Sequence, residues 1–184
     1  MQHCIREGMG MRVRGAVNPA PVASFLEEQL GDELAAAFIY GSVASGRARC
    51  GSDIDCFVIT VRELASYRRH QVAVRFATLQ RALGFSPDPE YPVEIFSIAA
   101  CESVLAGAVM GRVLRDAALT RTIDPGLAES DDVEVLRALL DRRVVLRHAP
   151  VLDRLTSRTH ALLDDHAVDR ACLHQALGLT EAAR

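Results

Sequence analysis

The 184-residue chain carries 24 acidic residues against 21 basic ones, for a formal net charge of -3, and 49% of it is hydrophobic. Every basic residue is an arginine, which excludes chemistry that needs a lysine: a Walker A phosphate loop, a Schiff base, or a covalent lysyl-nucleotide intermediate. The slight acidity argues against a bulk basic field for nucleic acid or a membrane surface, and no apolar run approaches the ~18 residues a membrane helix needs.

The opening MQHCIREGMGMRVRG lacks the apolar stretch of a secretory signal. Residues 1–21 are expected to form a mobile arm, Met9 or Met11 could serve as a later start, and the cytoplasm is the default location. The five cysteines, Cys4, Cys50, Cys56, Cys101 and Cys172, form no C-x-x-C pair and read as free thiols. After Pro19 and Pro21, the spacing of Phe25, Leu26, Leu30 and Leu34 predicts a helix over 22–34. AAAFIYG, residues 35–41, reads as a buried strand ending at glycine. Residues 42–52 are small, glycine-rich and basic, as in a loop, and DIDCFVIT, residues 53–60, reads as a second strand. A helix over 62–83 is expected to stop at Gly84. SPDPEYP makes a turn, and VEIFSIA, residues 93–99, a third strand. Residues 101–117, 131–148, 151–166 and 168–182 all look helical, with no further strand. The expected fold is α+β, a small mixed sheet with flanking helices in a module over 22–100, followed by a helical region over 101–184.

The chemistry concentrates in Tyr40-Gly41-Ser42, ten further residues, and Asp53-Ile54-Asp55, with Glu94 on a later strand. Two carboxylates side by side on an extended chain repel each other unless a cation lies between them. Oxygen ligands without histidine or cysteine favour magnesium or manganese over zinc. Gly41 allows close backbone approach, and Ser42 offers a hydroxyl and an N–H to a phosphate oxygen. With no lysine in the chain, Arg47 and Arg49 are the nearest cations for a triphosphate.

Residues 39–59, IYGSVASGRARCGSDIDCFVI, resemble the signature of the DNA polymerase β-type nucleotidyltransferase superfamily, and are most similar to its minimal and aminoglycoside-modifying members. The resemblance spans roughly residues 22–100. It implies transfer of a nucleoside monophosphate from an NTP to a hydroxyl, with two Mg2+ ions, or Mn2+, as cofactor. By position it assigns Asp53 and Asp55 to both metals and Glu94 to the second metal or to a base, with Glu90 and Glu102 as alternatives for Glu94. Gly41, Ser42 and Arg47 would hold the triphosphate. The expected acceptor is a small hydroxylated molecule. The alternatives are an antitoxin-type enzyme that binds and modifies a helical toxin, or a non-catalytic descendant that binds nucleotide or protein. A homodimer or a helical partner protein is compatible with either.

Overall fold

The structure is a computed structural model that describes residues 4–7, 10–13, 18–128 and 130–179. Much of the arm expected over 1–21 lies outside the described residues. Within them, strands β1 (Cys4–Glu7) and β2 (Gly10–Val13) pair as an antiparallel ribbon. Helix α1 (Ala20–Leu30) begins among Pro19 and Pro21, where proline suits a first turn whose amides lack carbonyl partners in any case. The Asn18 side chain accepts from the Ala20 N–H at 3.1 Å. The helix ends at Gly31, whose φ of +50° is a left-handed conformation that glycine adopts at little cost. Val22, Leu26 and Leu30 line its buried side, at the spacing read from the sequence.

A 3-10 turn, Gly31–Glu33, leads into β3 (Leu34–Ile39). Then follow a short helix α2 (Gly41–Ala44), strand β4 (Cys56–Thr60), helix α3 (Ser66–Ala82) and strand β5 (Glu94–Ser97). The sheet order is β5-β4-β3-β6, and β6 is Val144–Arg147. That fourth strand corrects the expected helix over 131–148, which ends at Leu140. VVLR is β-branched at its start and supplies pairing groups to the otherwise open edge of β3: Ile39 faces Val144 and Phe38 faces Val145. A local helical pattern cannot reveal a strand whose partner lies a hundred residues earlier. β3 and β4 are antiparallel, with Ile39 opposite Cys56, whereas β4 and β5 are parallel, with Phe57 opposite Glu94.

Every residue of β4 is buried, as befits a central strand. On one sheet face Ala37, Ile39, Cys56 and Val58 form a core with Val22 and Leu26 of α1 and Val72 and Phe76 of α3. On the other face Phe38, Phe57 and Phe96 stack in a row, with ring centroids 5.3 and 5.2 Å apart. The Arg143 guanidinium lies over the Phe38 ring at 5.5 Å.

The chain divides into two compact units, one running to Ser97 and including Arg143–His148, the other made of Ile98–Arg142 and the residues from Ala149 on. The second unit is helical: α4 (Ile98–Ala106), α5 (Ala108–Thr120), α6 (Asp131–Leu140), α7 (Pro150–Asp165) and α8 (Arg170–Leu177). Its interior is aliphatic, with Leu105, Val113, Leu114, Leu136, Leu155 and Leu173 buried. Asp169 caps α8 by accepting from the Ala171 and Cys172 amides, and Gly178 closes the helix in the left-handed conformation. The expected α+β class is thus what the chain adopts. Among the described residues no helix is long and apolar enough to cross a membrane.

Candidate active site

Sheet topology gathers the residues singled out in the sequence. Because β3 and β4 run antiparallel, Gly41 after β3 and Asp53 and Asp55 before β4 come to the same end of the sheet. Because β4 and β5 run parallel, their first residues also lie side by side, so Glu94 joins that end. By register, Glu94 shares the sheet face of Phe57 and Phe96. The Tyr40 N–H donates to the Asp55 carbonyl at 3.0 Å, which carries the β3–β4 ladder one residue past the strands. Asp53 and Asp55 therefore lie on the approach to β4 rather than within it, which corrects the strand expected from residue 53.

Gly41 has a φ of +67°, and a Cβ built on it would meet Asp55 Oδ2 at 2.0 Å and Cγ at 2.8 Å. The Asp55 carboxylate thus lies directly against the bare Cα of Gly41. Any side chain at position 41 fills the space that this carboxylate occupies. Downstream, the Ser42 carbonyl accepts from the Arg47 N–H at 2.8 Å. The Ser45 hydroxyl lies 2.8 Å from the Gly41 carbonyl and 3.2 Å from that of Ser42, and it accepts from Arg47 Nε at 3.0 Å. This ties exposed Arg47 back onto the Gly41–Ser42 turn, where a cation can face an anion held by that turn. Arg49 lies in a separate turn closed with Ser52.

Asp53 is partly buried. Burial pushes its carboxyl above the ordinary 3.8, the Asp88 carboxylate adds to the rise, and a hydrogen bond from its own backbone offsets part of it. Asp88 belongs to the loop between α3 and β5. That loop is tied to the Asp53 approach by the Ser86 N–H donating to the Ser52 carbonyl at 3.0 Å, and Asp88 itself accepts from the Glu90 and Tyr91 amides. The sequence marks this stretch as a proline turn, and its acidic residues are the signal for the contact with Asp53. Glu90, an alternative third carboxylate, is exposed in the same loop. Glu102, the other, lies in the helical unit and pairs with Arg154 at 3.0 Å.

Buried Gln80 of α3 was also missed. Its Oε1 accepts from the Ile54 N–H at 2.7 Å and its Nε2 donates to the Pro92 carbonyl at 2.9 Å. A glutamine one turn after Phe76 on the buried side of an otherwise apolar helix face was its signal. Of the flanking cysteines, Cys56 is a buried free thiol whose pKa burial pushes well up. Cys50 is disulfide-bonded, which corrects the reading of all five cysteines as free.

Among the described residues, no group of three or more histidine, cysteine, aspartate or glutamate side chains is arranged to hold a metal ion by itself. The oxygen donors of Asp53 and Asp55 fit a magnesium ion, which binds through one or two carboxylates and completes its shell with waters and substrate phosphates. A cation there would also counter both influences that raise Asp53.

A family model described as "Polymerase beta, Nucleotidyltransferase" matches residues 22–112. No curated protein sequence matches the chain. Solved structures similar in fold include a toxin–antitoxin complex with AMP-PNP, 13% identical with a TM-score of 0.50, covering 81% of this chain and 89% of that one. The MntA–HepT toxin–antitoxin is 12% identical with a TM-score of 0.46, covering 82% and 88%. A tri-AMPylated Shewanella oneidensis HEPN toxin in complex with MNT antitoxin is 14% identical with a TM-score of 0.40, covering 81% and 86%.

Proposed function

Residues 22–112 belong to the polymerase β-type nucleotidyltransferase family, and from that premise we propose that the protein transfers a nucleoside monophosphate from an NTP to a hydroxyl on a partner protein, in the manner of an antitoxin acting on its toxin. The single observation that carries the chemistry is the seating of the Asp55 carboxylate against Gly41. That contact supports a site in which a turn able to contact phosphate adjoins a hard oxygen donor. A protein acceptor is favoured over a small molecule because the fold resembles that of a toxin–antitoxin complex, and AMP-PNP in that complex favours ATP as donor.

In this reading the Gly41 and Ser42 backbone and the Ser42 hydroxyl hold the β- and γ-phosphates. Arg47, anchored through Ser45, balances their charge and draws electron density from the departing pyrophosphate. The acceptor oxygen forms its bond to the α-phosphorus as the α–β anhydride bond breaks. The hydroxyl proton passes to Glu94, whose half-buried position at the start of β5 places it at the same sheet end. A divalent metal held by Asp53 and Asp55 would supply charge neutralisation and acidify the acceptor hydroxyl.

The test incubates the full chain and magnesium with each α-labelled NTP and either the product of the adjacent gene or a panel of hydroxylated small molecules, aminoglycosides included. Label on the protein partner, with ATP preferred, is the expected result. Label on a small molecule alone would return the acceptor to the first reading from sequence, and no magnesium-dependent NTP affinity by calorimetry would remove the enzyme reading.

A further inference from the structure

We propose that Gln80 is a positioning residue that clamps the Asp53–Asp55 approach to the entry of β5 and so sets where the two carboxylates stand relative to Glu94. The inference rests on the nucleotidyltransferase reading above and adds to it a residue outside the signature.

Gln80 is fully buried in α3. A buried primary amide is costly unless both its ends are bonded, and here both are, to main-chain groups of two different segments. The Ile54 N–H lies between Asp53 and Asp55, on chain that precedes β4 and is not part of its ladder with β5. The Pro92 carbonyl lies two residues before Glu94, at the equivalent point ahead of β5. Each segment thus leaves one polar group to be met at the sheet end, a donor on one and an acceptor on the other. A primary amide offers an acceptor and a donor on one rigid plane and bridges them. A leucine or methionine would leave the Ile54 N–H buried and the Pro92 carbonyl without its bond, and an ionised glutamate could meet only the first.

The clamp also has a consequence for chemistry. The two segments it joins carry all three carboxylates assigned by resemblance, so a change at position 80 acts on the site without touching substrate. Partners that orient metal ligands typically change metal affinity or activity by ~10–100-fold when lost.

The test compares wild type, Gln80→Met and Gln80→Glu by amide exchange resolved by NMR, by the magnesium concentration giving half-maximal nucleotide binding, and by kcat and KM in the transfer assay. For Gln80→Met the expected result is faster exchange at Ile54 and Glu94, a magnesium requirement raised about 10-fold or more, and a fall in kcat of ~10–100-fold with a smaller change in KM. With its carboxyl ionised at high pH, Gln80→Glu should keep Ile54 protected while Glu94 loosens, and should retain more activity than Gln80→Met. If Gln80→Met does not fold, the split between Ile54 and Glu94 in Gln80→Glu decides the matter. A lower melting temperature with unchanged magnesium requirement and kcat, or exchange that quickens evenly through the sheet, would overturn the proposal and leave Gln80 a structural residue. A wild type that neither binds nor transfers nucleotide would overturn the function itself and the clamp's catalytic role with it. That failure is recognisable because it precedes any change at position 80.

Discussion

Replacing Gly41 by alanine separates stability from chemistry, because the structure gives the two effects different sizes. A non-glycine residue at φ +67° costs roughly 1–2 kcal/mol. For a chain of this length, that lowers Tm by roughly 2–8 °C. The new Cβ would stand 2.0 Å from Asp55 Oδ2, so the carboxylate must retreat by about 1.4 Å to reach ordinary contact at 3.4 Å. The Asp55 main chain is held by the Tyr40 N–H, so the retreat falls on the side chain. Swinging a carboxylate is cheap in stability, but a displacement of about 1 Å at a reacting centre can cost on the order of 100-fold in rate. Gly46 provides the control, with φ +71° and nothing within 4 Å of its Cβ position. Gly41→Ala and Gly46→Ala should therefore lose similar stability by thermal denaturation, while only Gly41→Ala loses magnesium-dependent NTP binding and about two orders of magnitude in transfer. Equal activity in the two variants would refute the argument that the Gly41–Asp55 contact places the carboxylate.

Two further outcomes follow from the same geometry. Asp53→Asn should abolish metal-dependent NTP binding yet stabilise the metal-free protein at pH 7. A carboxyl raised above 3.8 keeps its proton longer in the folded than in the unfolded chain, so stability falls as pH climbs through the folded value. Asparagine removes that loss. The Tm advantage of the variant should shrink towards zero as pH falls below 3.8, and a variant less stable than wild type at pH 7 would contradict the sign. Phe57→Ala empties the middle of the Phe38–Phe57–Phe96 stack, where the ring is fully buried. The loss should be about 3–5 kcal/mol, or roughly 6–20 °C in Tm; calorimetry showing less than about 1 kcal/mol would mean the rings do not pack as a unit.

Much of the site is legible in the chain itself because its residues are local or periodic. Gly41-Ser42 and Asp53-x-Asp55 are close in sequence, the strand signals of residues 35–41 and 93–99 are apolar runs, and α3 declares itself by Val72 and Phe76 at helical spacing. β6 and Gln80 escaped for one shared reason: each gets its role from a distant segment. Val144–Arg147 becomes a strand because β3 presents an unpaired edge. Gln80 matters because Ile54 and Pro92 each need a hydrogen-bonding partner.

The sequence by itself determined the α+β class, the nucleotidyltransferase signature and, through the absence of lysine, that any side-chain cation offered to a phosphate other than histidine is an arginine. Tertiary structure decided which side chains meet. It set Asp55 against Gly41, put Asp88 close enough to raise Asp53, and tied both carboxylate-bearing segments to one buried amide. The physical reason is that a motif specifies donors and acceptors, whereas strand direction and register specify the distances between them. Charges and hydrogen bonds act only at those distances.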